Sequence, residues 1–109
     1  MDLTGPIRLI ATDMDGTLLN DASEISPVLQ EALNRARNNG LQVVVATGRD
    51  RASAMHYLEP LGLSDNFIGS GGAEIWYQGK VVNSISLTME QTRWLMDLVI
   101  KLDCGSFID

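Results

Sequence analysis

Seven consecutive residues, Leu41-Gln42-Val43-Val44-Val45-Ala46-Thr47, limit the choice of fold more than any other feature of the chain. The run is short, β-branched and almost continuously apolar. A strand with one wet face alternates polar and apolar residues, whereas a strand buried on both faces does not. The run therefore predicts a strand within a parallel sheet, covered on both faces. Upstream, Ile7 to Thr12 reads I-R-L-I-A-T and predicts another buried strand. Between the two, Ser26-Pro27 opens a helix, with Ser as N-cap and Pro at the first helical position. Val28, Leu29, Ala32, Leu33 and Ala36 give that helix one apolar stripe, and Gly40 stops it.

The pattern continues downstream. A second helix is expected from Asp50 to about Glu59, stopped by Pro60 and Gly62. Asn66 to Gly69 reads as a third short strand. Ala73–Tyr77 and Val81-Val82 read as a hairpin joined by Gln78-Gly79-Lys80. Thr88 opens a last helix through a capping-box pattern with Gln91, and Leu95, Leu98, Val99 and Leu102 form its apolar face. Gly105 breaks this helix, and Ser106 to Asp109 starts an extended segment. Strand, helix, strand, helix, strand predicts an α/β fold with a parallel sheet. In such a sheet a ligand site belongs at the carboxyl ends of the strands.

Composition narrows the function classes. The chain has 109 residues, 45% of them apolar and 20% charged, a balance that suits one folded domain and excludes a disordered chain. The net charge of −6 argues against nucleic acid or an anionic membrane as the main partner. No apolar run approaches the roughly 20 residues of a membrane span, and Met1 to Pro6 lacks the basic-then-apolar order of a secretory signal. Cys104 is the only cysteine, so no internal disulfide can form. A cytoplasmic location is expected.

Two loops meet the positional rule for a ligand site. Asp13-Met14-Asp15-Gly16-Thr17 follows the first strand. Two carboxylates this close repel each other unless a cation or a proton stands between them. Hard oxygen donors of this kind suit Mg²⁺, which takes one or two carboxylates together with waters and a substrate phosphate. Gly16 permits a sharp turn, from which Met14 and Gly16 can present backbone N–H groups to an anion. An ionised Asp can attack phosphorus and form an aspartyl phosphate, and a second can act as acid and then base. The other loop, Thr47-Gly48-Arg49-Asp50, offers a hydroxyl and N–H groups ahead of a helix, a cradle for phosphate oxygens. Arg49 adds a cation there, either pairing with Asp50 or facing the substrate.

With those residues in place, a family can be recognised. Asp13-Met14-Asp15-Gly16-Thr17-Leu18-Leu19 resembles the first motif of the haloacid dehalogenase (HAD) superfamily of phosphohydrolases. Val43-Val44-Val45-Ala46-Thr47-Gly48-Arg49 is similar to its second motif, as worded in the Cof-type branch, subclass IIB. Ile68 to Ile75 resembles that branch's third-strand loop, but Ser70-Gly71-Gly72-Ala73 stands where Asn-Gly-Ala is usual. The resemblance implies a Rossmann-like core, its first half at residues 1–82, and the start of an α/β cap at 83–109. It implies a Mg²⁺-dependent phosphatase acting on a small phosphorylated metabolite such as a sugar phosphate. Asp13 would be nucleophile and metal ligand. Asp15 would be acid/base and bind metal through its carbonyl. Thr47 and Gly48, with Met14 and Gly16, would hold the phosphoryl group.

The family's later lysine and Gly-Asp motifs have no counterpart. Lys80 and Lys101 follow no core strand, and no Asp after Asp65 follows a Gly. Losing one electrostatic element of this kind costs on the order of 10²–10³ in rate, so the chain alone is expected to be a weak catalyst or none. The alternatives are a phosphoacceptor receiver-like signalling module and a non-catalytic fragment of the fold. The receiver needs its acceptor Asp after a later central strand, and Phe67-Ile68-Gly69 supplies none. A half-built sheet also leaves an unpaired edge, from which self-association is expected.

Overall fold

The computed structural model describes residues 6–103, so Cys104 and the extended segment expected after Gly105 lie outside the described residues. In chain order the elements are β1 (Leu9–Asp13), α1 (Pro27–Asn38), β2 (Gln42–Ala46), α2 (Arg51–Leu58), β3 (Phe67–Gly69), β4 (Glu74–Tyr77), β5 (Lys80–Ser84) and α3 (Met89–Lys101). A single 3₁₀ turn, Ser70–Gly72, joins β3 to β4. The strands form one sheet in sequence order, parallel from β1 through β3 and antiparallel from β3 through β5.

Local sequence sets the helix ends. Ser26 Oγ accepts from Leu29 N–H at 3.2 Å, with Pro27 in the first turn of α1. Asp50 Oδ1 caps α2 through Ser53 N–H at 2.7 Å. Both halves of the Thr88–Gln91 capping box form at α3, at 2.9 and 3.1 Å. Gln78 and Gly79 turn the β4–β5 hairpin with φ of 51° and 76°, the left-handed pair that matches strand twist.

The core explains the placement of the helices and corrects one expectation. Val43 and Val45 of β2 share a sheet face with Phe67 of β3, and Leu33 of α1 and Ala54, Met55 and Leu58 of α2 pack against it. Met14, Leu18 and Leu19, from the loop after β1, complete this core. The opposite face carries Leu9, Ala11, Val44, Ala46, Ile68 and Ile75. Leu9 is 54% exposed, Ala11 is exposed and the other four are half-buried. The apolar run of β2 is therefore covered by helices on one face, not two. Periodicity reports that a strand can be buried twice; it does not supply the second cover.

The helical stripes are narrower than the sequence suggests. Val28 is 78% exposed, and α3 has no buried residue, with Trp94 at 64% exposure and its C-cap Leu102 at 63%. Among the described residues, no helix is long and apolar enough to cross a membrane.

Candidate active site

The parallel pairing of β1 with β2 places Asp13 beside Ala46, one residue before Thr47. The Asp13 and Thr47 loops thus leave the sheet side by side at its carboxyl end. The loop after β1 closes tightly on itself. Leu18 N–H donates to Asp13 O at 3.3 Å, Leu19 N–H to Met14 O at 2.8 Å and Gly16 N–H to Leu19 O at 3.0 Å. Gly16 has φ +79°, a left-handed value that glycine adopts without penalty. Met14, fully buried, pins the loop to the core. Its N–H donates to Asp13 Oδ1 at 2.8 Å, which orients the carboxylate. Met14 and Gly16 N–H groups, expected to face phosphate, have acceptors within the loop at Asp13 Oδ1 and Leu19 O.

The loop after β2 is braced from the third strand. Thr47 N–H donates to Ile68 O at 2.9 Å, Gly71 N–H to Thr47 O at 3.1 Å and Ser70 N–H to Arg49 O at 2.9 Å. Thr47 is nearly buried, and its Oγ1 accepts from Arg49 N–H at 3.1 Å, leaving the hydroxyl hydrogen for another acceptor. Gly48 is exposed between them.

Arg49 resolves an alternative left open by the sequence. It does not pair with Asp50, which caps α2. Its Nε and Nη2 donate to Asp15 Oδ2 and Oδ1, both at 2.8 Å. This two-point pair holds the Asp15 carboxyl below its ordinary value of 3.8, mainly by hydrogen bonding, and raises Arg49 in turn. Arg49 Nη1 also donates to Ser53 Oγ at 3.0 Å, and its guanidinium lies 4.9 Å from the Tyr57 ring centre. Ser53 and Tyr57 are site residues the sequence reading missed. Their spacing of four and eight from Arg49 on α2 was the available signal.

The cation beside Asp15 is thus a side chain. Among the described residues, no three His, Cys, Asp or Glu side chains gather to hold a metal. The residues that could contribute to one are Asp13 through its carboxylate and Asp15 through its carbonyl.

A family model for haloacid dehalogenase-like hydrolases matches residues 10–108. The chain belongs to this family. The membership sets the receiver-like reading aside. The family member 5-amino-6-(5-phospho-D-ribitylamino)uracil phosphatase of Bacillus subtilis is 46% identical over 70 residues, spanning 64% of this chain and 28% of the relative. A solved haloacid dehalogenase-like hydrolase from B. subtilis superposes with a TM-score of 0.78 at 32% identity, covering 89% of this chain and 34% of the other. A subclass IIB sugar phosphatase superposes at 0.73 with 26% identity, covering 87% and 38%. The chain spans about a third, or less, of the length of the curated relatives it matches.

Proposed function

We propose that this HAD-family chain carries the nucleophile half of a Mg²⁺-dependent phosphomonoesterase acting on small phosphorylated metabolites of the sugar-phosphate kind. The observation that carries the reading is the juxtaposition of Asp13 and Thr47 at the carboxyl ends of adjacent parallel strands. Relatives named as phosphatases of a phosphoribityl compound and of sugars support the substrate class.

In this reading Asp13, oriented by Met14 N–H, attacks phosphorus through the oxygen that Met14 does not engage. The Asp13–phosphorus bond forms as the ester P–O bond breaks, and the leaving oxygen takes a proton from Asp15. Water then attacks phosphorus and gives its proton to Asp15. The Asp13–phosphorus bond breaks and inorganic phosphate leaves, with Asp13 restored as carboxylate and Asp15 as acid. The Arg49 pair favours the carboxylate form of Asp15, which suits the second, base-catalysed half and works against the first, acid half. Thr47 Oγ1 donates to a phosphoryl oxygen. Mg²⁺, held by the Asp13 carboxylate and the Asp15 carbonyl, would supply charge neutralisation at the transferring group.

With no counterpart here of the family's later lysine and Gly-Asp motifs, a low rate is expected. We extend the proposal to residues 83–109 as the opening of a cap, and to the outer edge of β1 as a contact between copies, which clean monomeric sedimentation would refute. The main test is hydrolysis of p-nitrophenyl phosphate with and without Mg²⁺. Slow, Mg²⁺-dependent release that Asp13→Asn abolishes is expected. Release unchanged in Asp13→Asn refutes the assignment.

A further inference from the structure

We propose that Arg49 is the positioning residue for Asp15, working as a strut between the phosphate cradle and the acid/base carboxylate. The inference rests on the reading above for the role of Asp15, and on this geometry for the strut itself.

Arg49 is fixed at both ends. Its backbone belongs to the cradle: N–H donates to Thr47 Oγ1 at 3.1 Å and the carbonyl accepts from Ser70 N–H at 2.9 Å. Its side chain crosses to a residue 34 positions earlier and meets both Asp15 oxygens at 2.8 Å. Of the five N–H donors of a guanidinium, two go to Asp15 and one to Ser53 Oγ at 3.0 Å, with the Tyr57 ring against the group at 4.9 Å. Ser53 and Tyr57 lie four residues apart on α2, and Arg49 stands four residues before Ser53, just ahead of the helix, so the three meet on one side.

A planar fork on two carboxylate oxygens fixes orientation as well as distance, and a lysine at the same place would act as a point charge only. Asp15 needs such help. It lies in a turn, is 51% exposed and has no other side-chain partner among the described hydrogen bonds. A pair this exposed adds little to folding stability, so its consequence is the aim of the carboxylate. A displacement of about 1 Å in a catalytic group can cost on the order of 10² in rate.

The decisive measurement is the side-chain rotamer of Asp15, read by NMR from three-bond couplings of its backbone N and C′ to Cγ in the full chain. Wild type is expected to show one dominant rotamer. Arg49→Ala should average the couplings, Arg49→Lys should rescue them only in part, and Ser53→Ala should broaden the distribution while leaving the fold intact. The thermal midpoint should move little in all three. Unchanged couplings in Arg49→Ala overturn the proposal and leave Arg49 as an ordinary surface ion pair. Should Arg49→Ala fail to fold, Ser53→Ala together with Arg49→Lys decides, and wild-type couplings in both overturn it. The couplings need no turnover, so absence of hydrolysis counts against the proposed function, not against the strut.

Discussion

Gly69, the last residue of β3, is where fold and site press closest together. Its φ of −117° suits any residue, so backbone strain is not the reason glycine stands there. The reason is space. A Cβ at this position would lie 2.7 Å from Phe67 Cζ, closer still to Cε1, and 3.2 Å from the Arg49 carbonyl oxygen. Carbon atoms in contact stand about 3.5–4.0 Å apart, so the ring would have to retreat by roughly 1 Å. Phe67 is fully buried, with Val45 beside it in the ladder, and the ring has little room to move. Overpacking of this kind costs about 1–3 kcal/mol, against which burial of one methyl returns about 0.8 kcal/mol. Gly69→Ala should therefore destabilise the chain by about 1–2 kcal/mol, a shift of roughly 1 M in the urea midpoint. Urea unfolding followed by tryptophan fluorescence measures this. Gly48→Ala is the matched control, because a Cβ there meets nothing within 4 Å. The control should stay within about 0.5 kcal/mol of wild type. Equal midpoints for the two variants would show that the Phe67 ring yields freely, and the reasoning would fail.

Three further outcomes follow from the same structure. Asp50→Ala removes the side chain that accepts from Ser53 N–H at 2.7 Å and should cost about 1 kcal/mol in urea unfolding, with Asp50→Ser recovering most of it. Because Arg49 lowers the Asp15 carboxyl below 3.8, their pair stabilises the fold above that pH and is lost as pH falls through the folded-state value. At 51% exposure the effect should stay under about 1 kcal/mol; Arg49→Met should remove it, and 1 M salt should mimic the variant. Amide hydrogens of Leu9–Asp13 should exchange faster than those of Val43–Val45, since β1 pairs with β2 alone and carries exposed residues on its uncovered face; equal protection refutes this.

What the sequence disclosed was local or strongly patterned. The Thr88–Gln91 box, the Ser26-Pro27 helix start and the β-branched run at 42–46 each depend on neighbours a few residues away, and each forms as expected. Asp13 and Thr47 were legible as a pair because a parallel sheet brings consecutive strand ends together. The partner of Arg49 was not legible. Asp50 is adjacent in sequence, but its carboxylate is engaged by a helix N–H, which leaves the guanidinium to reach Asp15. The N–H groups of Met14 and Gly16 show the same preference for near partners. They have acceptors inside the loop, at Asp13 Oδ1 and Leu19 O.

The two carboxylates of the site are therefore held by different physics. Asp13 is held from within its own loop: Met14 N–H fixes its carboxylate, Leu18 N–H and the Thr12 hydroxyl fix its carbonyl, and the buried Met14, Leu18 and Leu19 side chains fix the loop. Its geometry depends on the one covered sheet face, which is the packed one. Asp15 is held from across the site, by a side chain that stands just before a capped helix and whose backbone is tied to Thr47 and to Ser70. The position of Asp13 thus follows from core packing, and that of Asp15 follows from an exposed polar strut. A perturbation of the core, such as the methyl at Gly69, should reach both carboxylates, because Arg49 O lies against that same point. A perturbation of the strut should reach Asp15 alone. This asymmetry lets the aim of Asp15 change at little cost to the fold, since a pair this exposed adds little to stability.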